Sequence, residues 1–338
     1  MRSDFHVAVV GASGLVGRKM VEVLEKRRFP LKRLSLFASS RSAGDIIEFN
    51  GEEIEIQDVE KMDSGDIDIA LFSAGAERAL KYAPIFAEAG ALVIDNSSAF
   101  RMQSDIPLIV PEVNGKSLRK IPARRIISNP NCSTAQLVLA LHPLHQYATL
   151  KRVVVSSYQS VSGAGKRAID ELEQQVIDLF NGRTPTNEHF PHIIAFNCIP
   201  HIDLFDAAGY TKEERKMIDE TRKILDIPDL KVTATCVRVP VFYSHAEAVT
   251  AEFENEITPD TARGILSKTA GVSVIDNPTE NAYPLQNQSA GNDEVFVGRI
   301  RRDESALNSL NMWIVADNLL KGAALNAVQI AELAAPLL

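Results

Sequence analysis

The sequence predicts an α/β domain followed by an α+β domain, with the end of the chain returning to the first. Residues 1–131 and 318–338 are assigned to the first domain and 132–317 to the second. Three observations carry this prediction. Up to about Asn131, short and nearly continuous apolar runs alternate with segments of helical spacing, as in parallel strands covered on both faces. Beyond Leu150 the apolar runs lengthen and alternate with polar residues, as in antiparallel strands with one buried face. A glycine-rich turn, GASGLVG (11–17), follows the first strand and opens a helix.

In chain order, HVAVV (6–10) is the first strand and Leu15–Arg27 the first helix. RLSLFAS (33–39), IDIALFSAG (67–75), ALVIDNSS (91–98) and RRIISNP (124–130) are further strands bounded by Gly, Ser or Asn, with a helical stretch at Ala76–Ala89. TAQLVLALHPL (134–144) reads as a helix. KRVVVSSYQSVSG (151–163), KVTATCVRVPVFYSHAEAVTAEFE (231–254) and the stretch around EVFVGRIRRD (294–303) read as antiparallel strands. Amphipathic helices at Gly165–Phe180 and Lys212–Leu225 interrupt them, and the Pro- and Asn-rich stretch 181–191 is a loop. The last segment, 310–338, is one more strand and then a long helical pattern.

The glycine turn suits a pyrophosphate. Glycines allow a tight turn and a close backbone approach, and the helix N-terminus faces the anion, as in a Rossmann-type dinucleotide-binding domain. The spacing is GxxGxxG rather than GxGxxG, so alone it is a weak motif, and a glycine turn kept for packing is the alternative. The end of the second strand sharpens it. An NAD site usually places an acidic residue there to hold the ribose hydroxyls; this chain has Ser39-Ser40-Arg41-Ser42. A guanidinium with flanking hydroxyls accepts a 2′-phosphate, so the cofactor is expected to be NADP(H).

Cys132 stands between a predicted strand and a predicted helix, after Asn129-Pro130-Asn131, with Ser133 or Thr134 available as a cap. A thiol at a helix start feels the positive end of the dipole and loses its proton more easily, so Cys132 is a candidate nucleophile. Cys198 and Cys236 lie within apolar patterns and are expected in the core. A nucleophilic thiolate needs a proton carrier. His245 follows the strand carrying Arg238, but seven residues is an odd spacing, so on one regular strand the two face opposite ways unless a turn intervenes. The other histidines show no metal-ligand spacing, and no metal is expected.

The chain has 338 residues, 45% hydrophobic and 24% charged, with a net charge of −8 and no basic stripe, which argues against nucleic-acid binding. Its N-terminus enters a strand at once, no apolar run is long enough to span a membrane, and three scattered cysteines give neither a disulfide framework nor a zinc site. The expected setting is the cytoplasm.

The motifs GASGLVG, SSRS (39–42), SSAFRM (97–102), SNPNCST (128–134), SYQSVSGAGKRA (157–168), FNCIPHID (196–203), EERKMIDETRKIL (213–225), ATCVRVPVFYSHAE (234–247) and DNLLKGAALNAVQIAE (317–332) resemble, in order and over nearly the whole chain, the aspartate-β-semialdehyde dehydrogenase family. The resemblance implies NADPH-dependent reduction of L-aspartyl 4-phosphate to L-aspartate 4-semialdehyde and phosphate, in the synthesis of lysine, methionine, threonine and diaminopimelate. It implies that Cys132 forms an acyl-thioester, His245 is the acid/base catalyst and Gln159 orients the acyl group. It further implies Arg238 and Glu213 for the substrate carboxylate and amine, and Arg101, Asn131 and Lys216 for the phosphate. Gly11, Ser13, Gly14, Leu15, Val16, Gly17, Ser39, Arg41, Ser42, Ser73, Ser162, Gly163 and Asn318 fall on cofactor positions. Ala246 departs from the serine or threonine common in the family. The family forms homodimers or homotetramers, and the segment 176–192 is expected to face a partner or act as a lid. The rival readings are another phosphorylating acyl reductase, such as an N-acetyl-γ-glutamyl-phosphate reductase or a glyceraldehyde-3-phosphate dehydrogenase relative, and a non-catalytic dinucleotide-binding paralogue.

Overall fold

A computed structural model describes residues 4–338. The chain divides into two units, one running to Asn131 and resuming at Ala323–Leu338, the other spanning Cys132–Gly322.

The first unit is built on seven strands: β1 (Phe5–Val10), β2 (Leu31–Ala38), β3 (Ile46–Phe49), β4 (Glu52–Asp58), β5 (Ile69–Phe72), β6 (Leu92–Asp95) and β7 (Ile126–Ser128). Their order is β3-β4-β2-β1-β5-β6-β7, parallel throughout except for β3, which pairs antiparallel with β4. The chain winds outward in both directions from β1, so a topological switch point lies beside it, at the carboxyl ends of the strands. Helices α1 (Leu15–Lys26) and α2 (Ala76–Glu88) are the crossovers expected from the sequence; α3 (Pro111–Asn114) is one turn. The β3–β4 hairpin is absent from the sequence-based expectation, because IIEF and EEIEIQD alternate with exposed acids and bury little. Phe37, Phe72 and Phe86 form an edge-to-face cluster on one side of the sheet.

Gly11 and Gly17 explain the turn after β1. Gly11 has φ +92°, and a Cβ added at Gly17 would stand 2.1 Å from the Gly11 carbonyl oxygen, so only glycine lets α1 start this close to the strand.

The second unit opens with α4 (Cys132–Ala148), whose buried residues surround it on all sides. It continues through β8 (Leu150–Gln159), α5 (Lys166–Phe180), α6 (Lys212–Leu225), β9 (Lys231–Arg238), β10 (His245–Phe253), α7 (Pro259–Leu266), β11 (Val272–Val274), α8 (Gln286–Ser289), β12 (Val295–Arg302) and β13 (Ser309–Ala316). Sheet order is β11-β12-β13-β10-β8-β9. Three pairings are antiparallel, as expected, but β8–β9 and β11–β12 are parallel. α4 packs on β8, β10, β12 and β13, α6 on β9 and α7 on β12, so one face of the sheet is covered by helices. α6 is held by a capping box: Thr211 and Glu214 exchange side-chain-to-backbone bonds of 3.2 and 2.7 Å, and Asp226 ends the helix in a left-handed conformation.

Residues 318–322, assigned from sequence to the first domain, fall in the second unit. The reason is the Asn318 carboxamide oxygen, which accepts bonds from the Ser160 and Ser162 hydroxyls at 3.2 and 3.1 Å and from the Ser244 N–H at 2.9 Å. A π-helical turn at Leu320–Ala324 follows, and the chain re-enters the first unit as α9 (Leu325–Ala334).

Candidate active site

The odd spacing between Arg238 and His245 resolves into strand geometry. β9 ends at Arg238, residues 239–244 turn, and β10 begins at His245. β8 lies between the two strands, and its last residue, Gln159, is in register with Arg238 on one side and His245 on the other. Arg238, Gln159 and His245 therefore form one row across three neighbouring strands on the helix-covered face, at 5%, 1% and 0% exposure.

α6 brings Glu213 and Lys216 to this row. Gln159 Nε2 donates to Glu213 Oε1 at 3.2 Å, and Lys216 Nζ donates to Glu213 Oε2 at 3.1 Å and to Asp203 Oδ2 at 2.9 Å. Burial pulls the Lys216 amine down, but Glu213 and Asp203 outweigh it and the net shift is upward, so the ammonium is retained. Arg238 Nη1 donates to the Ser160 carbonyl at 2.6 Å, and its guanidinium stands 6.0 Å over the Phe190 ring. Burial lowers its affinity for the proton, while Glu213 and Cys132 act against that shift. Arg238 thus lies in the field of the thiol. A Cβ placed on Gly163 would be 3.1 Å from both Arg238 Nη1 and His245 Nε2, so both converge on one point.

His245 is fully buried. Its Nδ1 accepts from the Ser160 N–H at 3.1 Å and lies 3.1 Å from the Ser160 hydroxyl, whereas Nε2 has no partner. Burial first and the Arg238 charge second lower its pKa to about 3, with Glu213 and the Ser244 backbone opposing. Cys132 is the first residue of α4, partly exposed, and the π-helical turn packs directly on it. A Cβ on Gly322 would come 2.7 Å from Cys132 Cβ and 3.1 Å from its Cα.

In the first unit, a cavity of about 200 Å³ opens at the carboxyl ends of β1, β2 and β5. Gly11, Ser13, Gly14, Ser39, Arg41, Ser42 and Ser73 line it, and none of its lining residues is acidic. Leu15, Val16 and Gly17 lie just beyond, in the first turn of α1. Arg78, in the first turn of α2, also lines the cavity. Sequence reasoning missed it; the signal was a basic residue at the helix start after β5. The glycine turn, the hydroxyls and two guanidiniums fit a dinucleotide. Arg101 and Asn131 also belong to the first unit; Arg101 is 7% exposed and donates to the Asn129 and Asn96 carbonyls at 2.9 and 2.8 Å.

Cys236 is buried as expected, and burial with nearby Glu213 raises its thiol pKa, which leaves it unreactive. Cys198 is exposed, contrary to expectation: it lies in irregular chain just after a turn, and the next residue, Ile199, takes the core position at 2% exposure. The other residues missed from sequence are Ser160, Phe190, Gly322 and Glu247. Among the described residues, no cluster of three His, Cys, Asp or Glu is arranged to hold a metal, and no helix is long and apolar enough to cross a membrane.

A dinucleotide-type α/β unit and an α+β unit carrying a thiol in the field of a buried arginine, itself in one row with a buried histidine, define an oxidoreductase that works on a carbonyl group through a nicotinamide dinucleotide. Two family models match the chain, the semialdehyde dehydrogenase NAD binding domain over residues 6–121 and the semialdehyde dehydrogenase dimerisation domain over residues 141–321. An aspartate-semialdehyde dehydrogenase of Aquifex aeolicus is 54% identical over 331 residues, 97% of each chain. The crystal structure of aspartate semialdehyde dehydrogenase II from Vibrio cholerae, complexed with ASA, superposes with a TM-score of 0.95 at 50% identity over 98% of each chain. An enzyme of the same name from Candida albicans, with NADP, has a TM-score of 0.76 at 25% identity over 98% of each chain. The chain belongs to the aspartate-semialdehyde dehydrogenase family and is an oxidoreductase of amino-acid biosynthesis.

Proposed function

We propose that the chain converts L-aspartyl 4-phosphate to L-aspartate 4-semialdehyde and phosphate through an acyl-thioester on Cys132, with NADPH as reductant. The observation that carries this is the buried Arg238–Gln159–His245 row, bonded through Gln159 to Glu213, with Arg238 in the field of Cys132. Arg238 offers a planar fork for the substrate α-carboxylate, and Glu213 a carboxylate for its amino group. Gln159, tied to both Ser157 and Glu213, orients the acyl group, and His245 is the acid/base catalyst. Lys216 of the second unit and Arg101 and Asn131 of the first are the phosphate residues that the family resemblance implies.

NADP(H) over NAD(H) is supported by Arg41 and Arg78 together, with no acid lining their cavity. Ser162, Gly163 and Asn318, in the second unit, are the further cofactor residues that the family resemblance implies. When bound, the dinucleotide supplies the hydride. Residues 4–131 with 323–338 serve as the cofactor domain and 132–322 as the catalytic and dimerisation domain. A homodimer is supported by the sheet face opposite the helices. There Tyr158 and Trp313 pair at 5.4 Å beside a cavity of about 310 Å³, a surface suited to a second copy. The cytoplasm is the setting these features suit.

The test is the reverse reaction: NADP reduction by aspartate semialdehyde, with and without phosphate, beside N-acetylglutamate semialdehyde and glyceraldehyde 3-phosphate. Phosphate-dependent reduction with aspartate semialdehyde as the best substrate is expected. Preference for either other aldehyde overturns the proposal.

A further inference from the structure

We infer that Glu171 and Gln175 of α5 are positioning residues for the substrate arginine: they shape the loop 186–195 so that the Phe190 ring seats the Arg238 guanidinium for an α-carboxylate. This reading rests on the function proposed above, in which Arg238 receives that carboxylate, and deepens it.

Between α5 and α6 the chain runs from residue 181 to 198 without a helix or strand. A loop of this length has no ladder to satisfy its amides, so those it buries need acceptors from elsewhere. Phe190, Ile194 and Ala195 are buried within it, at 9%, 0% and 5% exposure. Two side chains of α5 supply the acceptors. Glu171 Oε2 accepts from the Glu188 N–H at 2.9 Å and from the His189 N–H, and its Oε1 accepts from the Phe190 N–H at 3.3 Å. Gln175 Oε1 accepts from the Ile194 and Ala195 N–H groups at 2.9 and 3.0 Å. Its Nε2 donates to the Thr186 carbonyl at 2.9 Å and to Glu171 Oε1 at 3.2 Å. The two residues stand at i and i+4, share one face of the helix and act as a single template. Five loop N–H groups end on two side chains, which fixes the backbone where no ladder does.

What the template holds in place is Phe190. Its carbonyl accepts from Asn187 Nδ2 at 2.9 Å, and its ring lies 6.0 Å from the Arg238 guanidinium. Further along the same segment, Ile199 exchanges backbone bonds with Arg238 at 2.8 and 2.9 Å. One stretch of chain therefore holds the arginine twice, by the main chain at Ile199 and by the ring at Phe190. The Ser160 carbonyl accepts from Nη1 at 2.6 Å and completes the seat. The helix that carries the template also starts beside this guanidinium: α5 follows directly on the turn of Gly163, whose Cβ position is 3.1 Å from Arg238 Nη1.

A guanidinium plane is attracted to an aromatic face, and more strongly where water is excluded. Neither a ring nor a carbonyl neutralises its charge, so the seat sets the orientation of the fork and leaves it attractive to an anion. An arginine already oriented loses less rotamer freedom when a carboxylate binds, and the benefit falls on substrate affinity rather than on bond making. A clamp that served stability alone would have no such preference for one substrate.

The test is steady-state kinetics of the reverse reaction, with aspartate semialdehyde, phosphate and NADP varied in turn. F190L keeps an apolar side chain but removes the ring face. Its KM for aspartate semialdehyde should rise about tenfold, while kcat and the KM values for phosphate and NADP stay within about twofold. F190Y, which restores the ring, should have a KM at least about threefold below that of F190L. E171Q replaces one acceptor oxygen by a donor that faces loop N–H groups. It should raise the same KM selectively, and hydrogen exchange read by mass spectrometry should quicken by ~10-fold or more at residues 188–190. An unchanged KM in F190L, equal KM values in F190L and F190Y, or a rise shared by all three substrates overturns the inference. Unchanged loop exchange in E171Q overturns it as well. If the wild-type protein fails to turn over aspartate semialdehyde, the proposed function falls, while exchange in E171Q still reads whether the template holds the loop.

Discussion

β5 and β6 of the first unit are buried on both faces and β8 to β10 of the second on their helix-covered face, and the two sets bury different chemistry. In β5 and β6 every residue is buried and only Asp95 is polar. On the helix-covered face of β8 to β10 lie Ser157, Gln159, Arg238, His245 and Glu247, all at 5% exposure or less. Burying such groups costs stability, by about 1–3 kcal/mol for each one left unpaired, and here His245 Nε2 and both Glu247 oxygens have no hydrogen-bond partner at good geometry. The first unit keeps its sheet apolar and puts its polar groups at the strand ends, where a ligand meets backbone N–H groups. The second places them inside the sheet, where water is excluded and a fixed dipole acts at full strength. On the proposed function, cofactor binding is done at a rim and acyl chemistry beside a buried polar row, and the two should be separable by mutation.

The separation is most severely challenged at the thiol. Cys132→Ser should cut turnover by ~10³-fold or more, because the hydroxyl is a far weaker nucleophile in this setting. NADP affinity, measured by equilibrium titration, should be unchanged; if it collapses together with turnover, the two regions do not divide the work as described. The converse perturbation is Arg41→Ala combined with Arg78→Ala. Removing two guanidiniums from the first unit should lower the NADPH/NADH ratio of kcat/KM by ~10–10²-fold through lost contact with a 2′-phosphate. An unaltered ratio would show that neither arginine reads that group.

A smaller effect sharpens the energetic side of the comparison. Burial raises the Glu247 carboxyl well above its ordinary value of 4.5, with the Gln136 amide of α4 acting weakly the other way. A carboxyl raised on folding contributes its stability in acid and loses it as pH rises from 4.5 toward the folded value, because the unfolded chain ionises first. Glu247→Gln removes that ionisation. Its thermal midpoint should match the wild type near about pH 4 and exceed it increasingly toward about pH 8. A wild type that gains on the variant as pH rises would mean the carboxylate is ionised and compensated.

Local pattern explains how much was legible beforehand. The five parallel strands of the first sheet other than β4 are apolar runs bounded by turn residues, and amphipathic spacing gives α6 its observed limits. The β3–β4 hairpin, with its exposed acids, gave no such contrast. Arg41 was legible from what should have stood in its place, Arg78 was not, and Cys198 looked buried because its neighbours are apolar. Glu247 was invisible: a glutamate in an alternating strand reads as a solvent-facing residue, and nothing local says that α4 covers it.

The sequence by itself determined the class of each unit, the glycine turn, the helix start at Cys132 and the family, because these depend on period, on turn residues and on motif order. Only the tertiary structure decided that Arg238 and His245 share a face, that Gln159 stands between them, and that the Ser160 N–H meets His245 Nδ1. Those facts come from the register of three strands, set by pairings between residues far apart in the chain. Pattern along one strand carries no record of its neighbour, so the row of Arg238, Gln159 and His245 is a property of the sheet rather than of any segment within it.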